Sequence, residues 1–280
     1  MMRRNTLNEL DPKAWLKFTK SWFLHNPPPR STQEQLHPAK YPESMIREFI
    51  EFFTRRGETV FDPFLGTGST LVAAQEAGRN GIGIELQEKY AQIARERIGR
   101  LGQQQTLGGR PTAQQVITGD AAAIGELHLP MVDFIITSPP YGPMLNKRGL
   151  AQQKRAGRKL DTRYSDDTSD LGNIGDYDAF VVTLAAVFRK AVSILRPGRH
   201  LVIIVQNYRD GGRYRMLAAD IVRALEHDIT LIGERIWLQD NKTLFPYGMG
   251  SSFVPNIHHH YCLIFKNGQA NTTPPQDRDP

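Results

Sequence analysis

The stretch Asp133-Phe134-Ile135-Ile136-Thr137-Ser138-Pro139-Pro140-Tyr141 reads as a buried strand stopped by two prolines with an aromatic beyond them. Adjacent prolines fix φ and can continue neither a strand nor a helix, so the corner leaves the Pro139 carbonyl unpaired and stiffly held. An unpaired acceptor beside a ligand pocket suits an incoming N–H group. Pro-Pro-Tyr also occurs as a plain turn or a docking peptide, the weaker reading directly after a core strand at the carboxyl edge of a sheet.

A second stretch, Phe61-Asp62-Pro63-Phe64-Leu65-Gly66-Thr67-Gly68-Ser69-Thr70, leaves a strand and enters a helix through two glycines, so backbone can approach a ligand closely. Glu85 ends the next strand 19 positions after Gly66, where a carboxylate can accept both hydroxyl hydrogens of a ribose. Asp120, after Thr118-Gly119 at the end of a third strand, can accept from an adenine amino group. Helix capping and a simple turn are the bland readings of Glu85 and Asp120. A triphosphate site fails for want of the P-loop lysine, and a nicotinamide site fails because Leu71 stands where the third glycine belongs.

These residues need a scaffold, and the hydrophobic periodicity supplies one. Ile46, Phe49, Ile50 and Phe53 predict a helix from Pro42, with Gly57 at the turn after it. There follow a strand at Thr59–Phe61, a helix over Ser69–Ala77, a strand at Gly81–Glu85 and a helix over Lys89–Arg100. Strands at Val116–Thr118 and Val132–Ile136 come next, then a helix over Tyr177–Leu195, the turn Arg196-Pro197-Gly198, a strand at Leu201–Val205 and a helix over Met216–Glu226. Ile229–Leu238 and Tyr261–Phe265 pair as an antiparallel edge. The alternation predicts a single α/β domain built on a mostly parallel, doubly wound sheet of about seven strands with a reversed edge strand. Its limits are residues 37–266, between an irregular N-terminal arm (1–36), broken by Pro27-Pro28-Pro29, and a disordered tail (267–280).

Bulk properties narrow the class without deciding it. With 280 residues, 40% hydrophobic, the chain can bury a full core, and a net charge of +6 is modest for a nucleic-acid binder. The only cysteine, Cys262, lies in an apolar strand and points to a reduced, cytoplasmic setting. No apolar run approaches the roughly 18 residues of a membrane span, so no membrane partner is expected. His258-His259-His260 does not make a metal site, because consecutive strand residues face opposite ways.

Taken together, three blocks resemble the amino-methyltransferases of DNA, which make N4-methylcytosine or N6-methyladenine: His37-Pro38-Ala39-Lys40-Tyr41-Pro42, Asp62 to Thr70, and Thr137 to Tyr141. The resemblance covers residues 37–266 and implies a Rossmann-like methyltransferase fold, with S-adenosylmethionine as cofactor and S-adenosylhomocysteine as product. It implies that His37, Pro38, Ala39 and Lys40 pack on the methionine part, with Asp62, Phe64, Gly66, Gly68, Ser69, Thr70, Glu85 and Asp120 completing the cofactor site. It further implies a catalytic set of Ser138, Pro139, Pro140 and Tyr141: Ser138 and the Pro139 carbonyl hold the target amine, and Tyr141 stacks on a base rotated out of the duplex. Two acceptors out of the plane of a conjugated amine favour the tetrahedral nitrogen of the transition state. Serine at 138 resembles the N4-cytosine subgroup; N6-adenine is the alternative. No cysteine follows Pro139, which disfavours carbon methylation through a covalent adduct.

The partner this implies is DNA. The span 142–176 carries Lys147, Arg148, Lys154, Arg155, Arg158, Lys159 and Arg163 directly after the catalytic block, a run that attracts phosphates or is otherwise a solvated loop. Asp166, Asp167 and Asp170 are expected to end that footprint, and Gln239 to Asn256, with Asn241, Lys242 and Tyr247, is a second contact candidate or a plain long hairpin connection. A cognate restriction endonuclease and a monomer or homodimer fit the same reading. Competing readings are an RNA or protein-glutamine methyltransferase, a dinucleotide oxidoreductase, and a binding module that docks through Pro-Pro-Tyr.

Overall fold

The computed structural model describes residues 5–26, 41–105, 111–142 and 170–268. Elements run in the order α1 (Pro12–Phe18), β1 (Trp22–Leu24), α2 (Glu43–Phe53), β2 (Thr59–Asp62), α3 (Ser69–Glu76), β3 (Asn80–Glu85), α4 (Glu88–Gln105), β4 (Gln114–Thr118) and β5 (Val132–Thr137). Then come α5 (Tyr177–Ser193), β6 (Leu195–Val205), β7 (Tyr208–Asp210), β8 (Arg213–Arg215), α6 (Leu217–Leu225), β9 (Thr230–Leu238) and β10 (His259–Lys266). Eight strands form one sheet in the order β1-β9-β10-β6-β5-β2-β3-β4, and β7 and β8 form a separate hairpin.

The pattern behind this sheet is a period of two. In β2, β5, β6 and β10, Phe61, Ile135, Leu201, Ile203, Leu263 and Phe265 pack on one face with Phe180 and Phe188 of α5. The intervening Val60, Phe134, Ile136, Val202, Ile204, Cys262 and Ile264 pack on the other with Phe49 and Phe53 of α2. Both faces are covered, as a parallel sheet requires. Helix α2 has an extended Pro42 at its N-cap and buries Met45, Ile46, Phe49, Ile50, Phe52 and Phe53. Helix α5 starts where the Asp176 carboxylate accepts from the Ala179 N–H at 2.7 Å.

Three expectations change. The first arm residues are not irregular throughout: Trp22–Leu24 pairs parallel with Ile236–Leu238 and forms an edge of the sheet. The strand count is therefore eight, and the reversed strand is not an edge, because β10 runs antiparallel to both β6 and β9 and lies between them. Arg196-Pro197-Gly198 does not end as a free turn either. Leu195 already pairs with Val132, Gly198 takes a φ of +77° and donates its N–H to the Asn267 carbonyl at 2.7 Å, and the register resumes at His200. Among the described residues, no helix is long and apolar enough to cross a membrane.

The sheet order reverses between β2 and β5: from β2 the chain moves outward to β3 and β4, then returns to the other side of β2 with β5. A doubly wound sheet opens its ligand crevice at the carboxyl ends of the strands beside such a reversal.

Candidate functional site

An open cleft lies at that reversal, and its wall includes Phe64, Gly66, Ser69, Glu85, Asp120, Ser138 and Pro140. The ends of β2, β3, β4 and β5 thus meet around one space, and the diproline corner opens into the same cleft as the acidic strand ends.

The loop after β2 is shaped by its glycines. Gly66 and Gly68 have φ of +57° and +89°, a region most side chains avoid. A Cβ on Gly68 would lie 2.8 Å from the Cβ of Ala94 in α4, so close packing as well as dihedral demands glycine there. Behind the loop, Ser69 Oγ donates to Glu43 Oε1 at 2.8 Å and Arg97 donates to the Thr67 carbonyl at 2.6 Å. Ser69 borders the cleft but spends its hydroxyl on that brace.

Glu85 is buried at the end of β3. Its Oε2 accepts from the Gly66 N–H at 2.7 Å and its Oε1 from the Gln87 N–H at 2.9 Å. Burial pushes its carboxyl up to about 7, against those two hydrogen bonds. Each oxygen keeps a lone pair for a further donor. Asp120 combines both sequence readings: Oδ1 accepts from the Ala122 N–H at 2.8 Å, capping a 3₁₀ turn, while the residue faces the cleft.

Asp62 is placed differently from expectation. It is fully buried and does not border the cleft. Oδ1 accepts from the Phe64 N–H (3.0 Å) and Thr137 Oγ1 (2.5 Å), and Oδ2 from Tyr41 Oη (2.7 Å) and Thr70 Oγ1 (2.5 Å). Four donors saturate a carboxylate, so Asp62 and Thr70 hold the loop from beneath instead of facing a ligand. Desolvation raises the Asp62 carboxyl from its ordinary range. Gly68 and Pro139 likewise stand outside the wall of the cleft.

At the corner, Ser138 and Pro140 face the cleft, and Ser138 Oγ lies 3.4 Å from Tyr141 Oη. The Tyr141 ring is not presented for stacking; it is buried in the same core cluster as Tyr177 and Phe180, because the turn after Pro140 carries it inward. Burial holds its hydroxyl up near 12, so it is a neutral donor at physiological pH. Asp170 is buried, borders the cleft, and accepts from the Gly172 N–H at 2.8 Å. His37, Pro38, Ala39 and Lys40, together with Lys147, Arg148, Lys154, Arg155, Arg158, Lys159, Arg163, Asp166 and Asp167, lie outside the described residues.

Sequence reasoning passed over Tyr41, Leu86, Tyr90 and Leu171, all in the cleft wall. Tyr41 was legible as part of the His37–Pro42 block, and Leu86 as the residue after an acidic strand end. Leu171 had no local signal. Cys262 is buried with its thiol pushed up to about 12, His260 stacks on Trp237 at 4.6 Å, and the described residues contain no cluster able to hold a metal ion.

A doubly wound sheet with an acidic, glycine-lined cleft at its reversal and a diproline corner bordering it defines a Rossmann-like ligand-binding domain. The family model described as DNA methylase matches residues 5–96. The chain is 34% identical over 91 residues to the Type II methyltransferase M.BglI of Bacillus subtilis, 32% of this chain and 26% of that protein. It is 44% identical over 72 residues to M.MjaI of Methanocaldococcus jannaschii, 24% of each chain. With M.SmaI of Serratia marcescens it shares 40% over 91 residues, 32% of this chain and 30% of that one. The chain thus spans about a quarter of the length of the curated relatives it matches. A solved methyltransferase from Pyrococcus furiosus is 17% identical, with a TM-score of 0.48 over 83% of this chain and 87% of that one. The family model thus matches about the first third of the chain. In the cleft, Glu85 and Asp120 offer acceptors for hydroxyl and amino donors of a ligand, and the buried Asp170 borders the same space.

Proposed function

We propose that the chain transfers a methyl group from S-adenosylmethionine to an exocyclic amine of a DNA base, N4 of cytosine in the reading we favour. The observation that carries the proposal is that Ser138 and Pro140 border the same cleft as Glu85 and Asp120, so an amine held at the corner faces a cofactor held by the strand ends. The cofactor supplies an electrophilic methyl on a sulfonium. Ser138 Oγ accepts one amine hydrogen and the Pro139 carbonyl, which lies outside the cleft wall here, accepts the other once the corner shifts on DNA binding, and together they turn the nitrogen lone pair out of conjugation. Held at Glu85 and Asp120, the sulfonium would supply the methyl to the nitrogen and keep the carbon–sulfur electron pair as a thioether, and the surplus amine proton would leave through Ser138 Oγ to water.

Several chain features support this assignment. Tyr141, neutral and 3.4 Å from Ser138 Oγ, orients that hydroxyl. Its buried ring turns outward to stack on a base only if the corner rearranges when DNA binds. Cys262 is buried, with a thiol near 12, which argues against a thiolate adduct. His37–Lys40 are proposed to close the methionine end and the basic span 142–176 to hold phosphates. Residues 37–266 form the catalytic domain in this reading, and the Type II names of the relatives make a restriction endonuclease the partner to look for.

Serine at position 138 is the feature favouring cytosine over adenine. Mass spectrometry of nucleosides from unmethylated DNA treated with the chain and cofactor tests both levels at once. N4-methylcytosine is expected; N6-methyladenine keeps the reaction and corrects the base, and no methylated nucleoside refutes the proposal. Ser138→Ala is expected to lower single-turnover rate at least about a hundredfold, the scale of one lost transition-state hydrogen-bond partner, with cofactor affinity unchanged.

A further inference from the structure

We infer that the loop joining β9 to β10, residues 239–258, is a wedge that enters the base stack of duplex DNA where the target base leaves it. This rests on the function proposed above and adds the element that keeps the emptied stack open.

Placement comes first. Strand β10 runs against β6, so its start lies at the carboxyl edge of the sheet, the edge that carries Ser138 and Glu85. It stands two strands from β5, which at ~4.8 Å per strand is about 10 Å, inside the ~12 Å width of a major groove.

The loop is braced at its neck and bare at its tip. Asn256 accepts from the Phe245 N–H at 3.0 Å and donates to the Phe245 carbonyl at 2.9 Å. Gln206 Nε2 donates to the carbonyls of Ile257 and His259 at 3.1 and 3.0 Å, and the Ser252 N–H reaches the Gly248 carbonyl at 2.8 Å. Beyond this neck, Leu244, Met249 and Phe253 are 73%, 82% and 87% exposed. A loop fixed by side-chain hydrogen bonds that holds its largest apolar groups in water has the form of a binding element.

The surroundings choose the occupant. The hairpin β7–β8 rises from the same edge and brings Arg209, Arg213 and Arg215. Tyr214 adjoins Tyr261, whose hydroxyl lies 3.3 Å from His259 Nε2, and His259 in turn feels the Lys242 ammonium. Of the acids at this edge, Asp210 pairs with Arg215 and Asp240 accepts from Asn26. An apolar tip inside a cationic rim matches a duplex, with phosphates outside and base faces within, and it repels a second copy of itself. Extruding a base leaves a gap between two flat apolar faces, and the Phe253 ring or the Met249 thioether fills such a gap.

The test uses the full chain and the doubly substituted Met249→Ala, Phe253→Ala chain. Both side chains are solvent-exposed, so folding should not suffer, and S-adenosylmethionine affinity by calorimetry should stay within about twofold. Methyl transfer from tritiated cofactor to native plasmid DNA should fall at least about tenfold, the scale of one stacked aromatic, and the single Phe253→Trp should keep the rate within threefold. Double-substituted chain that keeps the rate within threefold overturns the wedge, as does wild type that sediments as a dimer while the variant is a monomer. Wild type that methylates no DNA refutes the proposed function and the wedge with it; active wild type with unaffected variants refutes the wedge alone.

Discussion

If Glu85 holds the ribose as proposed, cofactor affinity should depend on pH in a direction that can be worked out in advance. The Glu85 carboxyl titrates near 7 because burial disfavours charge more than the Gly66 and Gln87 N–H groups restore it. Ribose hydroxyls donating to it favour the ionised form, so binding should lower this pKa and release a proton. If only the ionised form binds, affinity at pH 6 is about tenfold weaker than at pH 8, since about nine-tenths of the sites are then protonated. Stability runs the opposite way. A carboxyl raised from 4.5 to about 7 by folding contributes stability fully present below 4.5 and lost as pH rises through about 7. Cofactor should therefore raise Tm more at pH 8 than at pH 6. Calorimetry at pH 6, 7 and 8 in two buffers of different ionisation enthalpy measures affinity and proton release together. Affinity that is flat from pH 6 to 8, or a Glu85→Gln variant with the wild-type pH profile, refutes the reasoning.

Three further outcomes follow from the geometry. Gly68→Ala forces a side chain onto φ +89° and a 2.8 Å contact with Ala94, and should cost about 2–4 kcal/mol in denaturant unfolding and weaken cofactor binding. Asp62→Asn removes an acceptor from a saturated buried carboxylate and should destabilise by about 2–3 kcal/mol, with an unchanged m-value. Cys262, buried with a thiol near 12, should resist iodoacetamide at pH 8 in the folded chain and react at the unfolding midpoint, as followed by intact mass.

The core of the fold was legible because the code for it is local. Strand and helix alternate from Thr59 to Arg100, with Gly66 and Gly68 at the first junction, and the structure follows them to within a few residues. What escaped depends on distant partners. Trp22–Leu24 has no strand signal of its own and becomes one because β9 offers an unpaired edge. The hairpin Tyr208–Asp210 and Arg213–Arg215 was hidden by its length, although Gly211-Gly212 marks its turn. In the site, motif spacing located Gly66, Glu85, Asp120 and Ser138 at the edge of one cleft. Spacing could not tell a ligand-facing acid from a buried one: Asp62 went inward because four donors converge on it, and Asp170 turned into the cleft because its 3₁₀ turn brings it there.

The saturated carboxylate beneath the loop has an engineering consequence. Its donors come from Tyr41, Phe64, Thr70 and Thr137, so every anchor of the knot precedes Gly142 and none belongs to the stretch from Gln206 to His258. The brace under the loop is therefore independent of the connections that leave the ends of β6 and β9. Under the proposed function, exchanging those connections for a relative's should change the DNA sequence that is methylated and leave cofactor affinity unchanged, as sequencing of methylated sites and calorimetry would read.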